Sequence, residues 1–429
     1  MFPPLTLAIT MARKLDLRTG VPVWEAYRVP RIPTQKLTRD VTCDVLVVGL
    51  GISGAMLVEA LSAQGLAVVG VDRRGSMLGS TPATTALVQF EIDQPLSDLS
   101  RKIGKPDAEQ AWRRSRLAVT NLQGRISELG IACDMTEAQS LYLAGNALDP
   151  GELRMEAETR SDAGIRATYL TPAVLKEKFG IDRKGAILSQ DNLALDPRKL
   201  TAGFLGKALE RKARFFAPVE VAGLATGPAG VRAETKDGPV ISARQVVLAT
   251  GYELLDIVPS HTHSVISTYA IATKPQKSAL WPGAAFVWEA SDPYLYMRAT
   301  ADGRVICGGE DEDLVDEAKR DSLLAAKTRT ISSKLKHLFP QLDTTAEFAW
   351  TGCFGATTTG LPYIGELPGH PAIFAAQGYG GNGITFSQIA SEVISTAIAG
   401  REDTDAKLFA FGRTGMVRKL VDAAGKLLA

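Results

Sequence analysis

A chain of 429 residues is longer than one ordinary domain, so two interleaved domains are expected. Its hydrophobic fraction of 45% and charged fraction of 22% are those of a globular protein, and a net charge of +1 gives no bulk attraction for nucleic acid. Scattered cysteines (Cys43, Cys133, Cys307, Cys353) without a C-x-x-C spacing offer neither a zinc site nor a disulfide framework and suit a reducing cytoplasm. Only His261, His263, His337 and His370 are available as imidazoles, which argues against a metal centre.

Residues 1–10 are mildly apolar but short, carry Pro3 and Pro4 and lack a leading basic segment, so no signal peptide is read there. Met11 is an alternative start. No run approaches the ~20 apolar residues that span a bilayer, so no integral membrane segment is expected. A proline-punctuated arm leads to the apolar run 43–48, which reads as a buried strand. Gly49-Leu50-Gly51-Ile52-Ser53-Gly54 follows directly, then a helix over 55–64 that Gly65 can stop, then a second apolar run, 67–71, ending at Asp72. A bare G-x-G-x-x-G is a weak signal; this strand–turn–helix–strand–acid context makes it a strong one. Gly49 makes the tight turn, Gly51 lets a pyrophosphate approach the backbone, and Gly54 packs the helix against the strand. The helix N-terminus offers N–H groups to phosphate, and Asp72 can accept hydrogen bonds from a ribose diol. The motif specifies a dinucleotide without saying which.

Further along, a long helical pattern over 105–130 ends at Gly130, and shorter helices are expected over 152–163 and 172–179. Another helix runs from Asp196-Pro197 to about 212, followed by strands over 215–221 and 231–234. The segment 243–252 reads as a buried strand that ends in a small-residue turn. Asp302-Gly303 between the alternating runs 294–298 and 304–309 is a hairpin signal. A helix over 316–337, a strand over 372–376 and a glycine-rich turn, 377–385, opening a helix to about 399 complete the pattern. The basic, amphipathic stretch 416–428 reads as a docked helix in preference to a membrane-surface one. An ordinary nicotinamide dehydrogenase keeps its dinucleotide domain contiguous; here antiparallel strands separate the two halves, which favours a flavoprotein. The expected fold class is α/β. A discontinuous Rossmann-like FAD-binding domain (41–105, 196–260, 350–412) carries an inserted antiparallel-sheet α+β substrate or cap domain (106–195, 261–349). A 1–40 arm precedes it and a 413–429 helix follows.

These segments, in this order, resemble the D-amino-acid-oxidase-like family of FAD-dependent oxidoreductases, which includes glycine, sarcosine and gamma-glutamylputrescine oxidases. The resemblance covers about residues 40–412. It rests on the glycine turn and Asp72, on Gly79-Ser80-Thr81-Pro82-Ala83-Thr84-Thr85, on Ala217-Pro218-Val219, and on Val247-Leu248-Ala249-Thr250-Gly251. Leu361-Pro362-Tyr363-Ile364-Gly365 and Gly381-Asn382-Gly383-Ile384-Thr385 complete it. It implies that Gly49, Gly51, Ile52, Ser53 and Gly54 surround the FAD pyrophosphate, with Asp72 on the adenosine ribose and Arg73 beside it. Ser80 and Thr81 would bond phosphate and ribityl oxygens, and Thr84, Thr85 and Ala86 would approach the isoalloxazine. Val219 would meet the adenine, and Ala249 and Gly251 would pass beneath the cofactor. Gly381, Asn382, Gly383, Ile384 and Thr385 would hold the flavin O2 edge, where a helix N-terminus stabilises negative charge on the reduced flavin. No Cys or His stands where the family attaches flavin covalently, so non-covalent FAD is expected.

The substrate side departs from the family. The arginine that commonly pairs with a substrate carboxylate is replaced by Phe354, which cannot form a bidentate salt bridge. Thr357-Thr358-Thr359 replaces the family's frequent acid before P-x-I-G. Gln89, Arg298 and Tyr379 are the substrate-side candidates, each with a packing or surface role as its alternative. Tyr294 and Tyr296 share a face with Arg298 if their strand is regular. His261 and His263 read as exposed loop residues. The expected reaction is oxidation of a C–N bond of an amine or N-substituted amino compound, with oxygen or an electron carrier as acceptor. The alternatives are a flavin dehydrogenase of an amino or hydroxy acid, using Arg298 and passing electrons to a quinone or carrier, and a non-catalytic FAD-binding subunit.

Overall fold

The strand Val41–Val48 keeps its polar Thr42 and Asp44 at the outer end and buries its last four residues, a pattern suited to the middle of a covered sheet. In the computed structural model, which describes residues 14–259, 263–313 and 316–413, it lies inside an eight-stranded sheet. Val68–Val71 and then Arg214–Phe216 follow it on one side, Val240–Leu248 and His370–Gln377 on the other, all parallel. Tyr363–Leu367 adds an antiparallel edge, and Val221–Gly227 with Gly230–Thr235 forms an antiparallel extension of Val240–Leu248. Helices Ile52–Ala63, Pro197–Glu210 and Gly383–Ile398 pack together beside this sheet, burying Met56, Leu57, Leu61, Phe204, Phe386 and Ile389 in one core.

A second, ten-stranded sheet runs in the order Arg18–Gly20, Ala346–Thr357, His263–Thr273, Val305–Glu312, Leu295–Ala299, Phe286–Glu289, Thr136–Leu143, Ala186–Ala194 and Leu87–Val88, with Ala167–Leu170 paired to Ala186–Ala194. Helix Glu317–Leu338 covers one face, setting Ile331 and Leu335 against Tyr269, Ile271, Met297 and Cys307. The Asp302-Gly303 hairpin is present: Arg298 faces Ile306 across an antiparallel ladder, and Gly303 holds φ at +92°. The helix expected over 105–130 is Lys105–Leu129, stopped by Gly130 in the left-handed region. Asp196 and Asp316 cap the helices that follow them, accepting backbone N–H groups two or three residues on.

Some expectations change. The strand expected over 215–221 ends at Phe216, because Pro218 has no N–H to continue a ladder, and the next strand begins at Val221. Ala346–Thr357, which carries Trp350, belongs to the second sheet, and so does part of the N-terminal arm: Thr19 pairs with Thr351. The stretch expected as a C-terminal helix lies, apart from Arg413, outside the described residues, as do His261 and the His263 side chain. Among the described residues, no helix is long and apolar enough to cross a membrane.

Candidate active site

The glycine turn is built by backbone approach. A methyl group on Gly49, where φ is +110°, would lie 2.3 Å from the Ala249 carbonyl oxygen, and one on Gly54 would lie 1.8 Å from the Gly49 oxygen. Only hydrogen fits at either position, so the two parallel strands and the helix start converge on one point. Asp72 fastens this turn from the next strand. Its Oδ2 accepts the Leu50 N–H at 2.9 Å, and its Oδ1 accepts those of Arg74 at 2.7 Å and Gly75 at 2.9 Å. Thr81 reaches across from the following loop, its Oγ1 accepting the Ile52 N–H at 3.1 Å.

These residues open onto a long cavity. Its lining takes in Gly49, Gly51, Ile52, Ser53, Asp72, Arg73, Ser80, Thr81, Thr84, Thr85, Val219, Ala249, Gly251, Gly381, Asn382, Gly383 and Ile384. Segments far apart in sequence, and expected from it to hold a cofactor, thus surround one space. At the end nearest Asp72, Glu253 organises the charges. It is buried, it pairs with Arg73, and Arg74 bonds its Oε2 at 2.6 Å; the Leu15 N–H donates to its Oε1, also at 2.6 Å. Burial alone would raise the Glu253 carboxyl, but Arg74 and Arg73 outweigh it and hold the group below the usual carboxylate range. Glu253 was not found from sequence; its place directly after the Gly251 turn is the one signal available.

The opposite end is differently made. Gln89, Asp93, Trp288, Tyr294, Tyr296 and Phe354 line it. Asn382 fixes its floor, with Nδ2 donating to the carbonyls of Gln89 and Glu91, while the Thr385 hydroxyl also donates to the Gln89 carbonyl. Gln89 Nε2, Asn382 Oδ1 and the Tyr379 hydroxyl are buried without a hydrogen-bond partner. Orphaned polar atoms around a glycine-built cradle are what a large polar ligand would satisfy, and the residues present fit a dinucleotide. Burial pushes the Tyr379 phenol up to about 12. Asp93 had no sequence signal. Its carboxylate accepts the Gly381 N–H at 2.7 Å and faces the open cavity.

Arg298 is placed otherwise than expected. It is 3% exposed and absent from this lining; its Nη1 donates to the carbonyls of Ala86 and Leu195, and its guanidinium lies between the rings of Trp24 and Phe286. It points behind the Thr84–Thr85 loop, not at a ligand in front of it. Gly54, Ala86 and Thr385 also stand behind the lining: Gly54 against Gly49, Ala86 with its carbonyl held by Arg298, and Thr385 on Gln89. Cys353 borders the cavity, and its sulfur accepts a bond from Arg320 at 3.4 Å.

Comparison with known sequences identifies the family. The sequence model of the DAO family, described as FAD dependent oxidoreductase, matches residues 44–396. The chain belongs to this family. It is an FAD-dependent oxidoreductase. Among its relatives, the gamma-glutamylputrescine oxidoreductase of Escherichia coli is 26% identical over 387 residues, 86% of each chain. The probable oxidoreductase OrdL of Haemophilus influenzae is 22% identical over 384 residues, 86% of this chain and 85% of that one. Among solved structures, glycine oxidase from Geobacillus kaustophilus superposes with a TM-score of 0.70 at 20% identity, covering 85% of this chain and 96% of the other. L-proline dehydrogenase from P. horikoshii gives 0.72 at 19%, covering 87% and 97%. These two establish the fold.

Proposed function

We propose that this member of the family oxidises the C–N bond of an amine whose nitrogen is not part of an α-amino-acid head group. The observation that carries this reading is the composition of the cavity end around Phe354. Among the described lining residues the cationic side chains are Arg73 and Arg74, and both are engaged by Glu253 at the other end. The end formed by Trp288, Tyr294, Tyr296 and Phe354 offers a carboxylate no partner, while Asp93 gives it a negative charge. The resemblance of the relatives is consistent with an amine: one bears the name gamma-glutamylputrescine oxidoreductase.

Bound FAD supplies the two-electron acceptor. The chain's own residues must bind the amine in its neutral form, exclude water and aim the α-carbon. In the reaction the α C–H bond breaks, its hydrogen leaves with the electron pair, and the nitrogen lone pair closes a C=N bond. Water then hydrolyses that bond to a carbonyl compound and a smaller amine. The aromatic walls provide the dry surface, and orientation carries most of the burden because no histidine lies among the described lining residues. Oxygen or an electron carrier takes the electrons away. The test is an anaerobic screen of primary, secondary and N-methyl amines, amino acids and hydroxy acids, following flavin absorbance near ~450 nm. Bleaching by amines supports the reading. Bleaching by amino or hydroxy acids alone, or by nothing, rejects it. Oxygen uptake against dye reduction then identifies the acceptor.

A further inference from the structure

Four tyrosines border the cavity: Tyr252, Tyr294, Tyr296 and Tyr379. Among the described residues, Tyr294 is the one of these whose hydroxyl meets a carboxylate, donating to Asp311 Oδ2 at 2.6 Å. A phenol has a single O–H. Once that hydrogen is given to Asp311, the oxygen offers the cavity only lone pairs. The wall at Tyr294 therefore accepts a hydrogen and does not give one.

The backbone is built to bring Asp311 there. Leu295 and Gly309 are the outermost partners in the ladder between their strands, Glu310 takes φ +57°, and the facing ladder shifts register between Ser267 and Tyr269. Such a bulge re-aims the side chains beside it. Asp311 stands behind Tyr294, outside the cavity lining, and its Oδ1 is buried without a donor. Tyr294 and Tyr296 face it from one side, Thr268 from His263–Thr273 and Lys327 from helix Glu317–Leu338; Glu310 adjoins it, and Asp93 is the other acid that acts on Tyr294. Lys327 is taken up by Glu312 at 2.6 Å and Glu310 at 3.6 Å. Burial lifts the Asp311 carboxyl above the usual carboxylate range, toward the pH at which a base works best.

An alkylamine near neutral pH is almost wholly protonated, since its pKa resembles the ~10.4 of lysine. The nitrogen that forms the C=N bond needs its lone pair, so a proton must leave first. We propose that Tyr294 and Asp311 form the relay that takes it. One ammonium N–H bond breaks and its proton passes to the Tyr294 oxygen, while the Tyr294 proton passes to Asp311 Oδ2. An ammonium and a carboxylate become a neutral amine and a carboxylic acid, with no net change of charge. This rests on the amine reading above and assigns the step that precedes oxidation.

Anaerobic stopped-flow reduction of the holoenzyme by butylamine and by N-methylbutylamine, in wild type, Y294F and D311N, tests the relay. Both variants should reduce at least about a hundredfold more slowly at about pH 7.5, and come within roughly threefold of wild type at about pH 10.5, where the amine arrives neutral. A purely structural defect is not repaired by pH. If one variant does not fold, the other decides. tert-Butylamine has no α C–H and cannot be oxidised, so its binding, read from the flavin absorbance spectrum, is a second measure. Between about pH 7.5 and 8.5 its affinity should rise about tenfold in D311N, which takes only the neutral amine, and stay level in wild type. A rate deficit equal at every pH, wild-type rates in the variants at about pH 7.5, or the same pH dependence of tert-butylamine binding in wild type and D311N overturns the relay and leaves amine oxidation standing. If neither amine, nor any other in the screen, reduces the wild-type enzyme, the amine reading falls and the relay with it.

Discussion

Arg298 holds Ala86. The Nη1 of this buried arginine donates to the Ala86 carbonyl and, at 3.0 Å, to that of Leu195, while Ala86 itself sits at φ +56°, a conformation that alanine seldom adopts. Trp24 donates to the Thr84 carbonyl at 2.7 Å and Trp350 to that of Ala83 at 2.8 Å, so the whole 83–86 loop is tied from behind. Burial lowers the Arg298 guanidinium to about 10, against a smaller rise from Asp196.

Replacing Arg298 with Met would keep the bulk and orphan two buried carbonyls, at a cost of about 2–4 kcal/mol. Thermal denaturation of R298M should show that loss, together with a blue-shifted or weakened flavin spectrum. Because the guanidinium stands behind the loop, the KM for a charged substrate should change less than FAD retention. A variant with full stability and a KM raised severalfold for an acid would restore Arg298 to the substrate side.

Glu253→Gln should loosen the end of the cavity nearest Asp72. It removes the charge that two arginines share, and breaking such a buried pair is worth about 3 kcal/mol. The sign with pH follows from the depressed native carboxyl. Its stabilisation is complete above the unfolded value of about 4.3 and fades as pH falls through the lower native value. Denaturant melts from neutral to acidic pH should therefore converge for wild type and E253Q at the acid end. Parallel curves would reject the role of this charge.

Gly54→Ala places a methyl group on the Gly49 carbonyl, an overlap that only backbone movement relieves. A loss of about 3 kcal/mol is expected, with little FAD retained through gel filtration. Gly51→Ala meets the Thr81 hydroxyl at 3.1 Å and has room to adjust, so it should fold and bind FAD more weakly. Equal FAD occupancy in G54A and wild type would contradict the close packing described.

Phe354→Arg introduces the guanidinium whose absence carries the functional reading. Beside Asp93 it should lower kcat/KM for a cationic amine at least about tenfold through like-charge repulsion, with the melting temperature nearly unchanged. Unaltered amine kinetics would separate Phe354 from the substrate.

The glycine-turn end of the cavity could be read from sequence because its packing is local. Gly49, Gly51 and Gly54 are demanded by backbone contact, and Asp72 follows at the end of the next strand. The end around Phe354 could not. Arg298 alternates correctly with Tyr296, yet the side chain turns to Ala86 once the Thr84–Thr85 loop lies across its strand, a tertiary fact with no periodicity. Asp93 lacks any motif; it matters because Gly381, far along the chain, closes over it. The break after Phe216 was written in Pro218, whereas the pairing of Thr19 with Thr351 has no sequence mark.

That last pairing bears on how the molecule is made. Arg18–Gly20 waits for a strand more than three hundred residues later, and Leu15 waits for Glu253. Gly49 likewise has no floor until Ala249 exists, nor Asp93 a lid until Gly381 emerges. A ribosome still completing the last third of the chain therefore carries only fragments of the cradle. Such long-range closure is slow, and the cavity wall is complete only once Gly381 has joined Asp93.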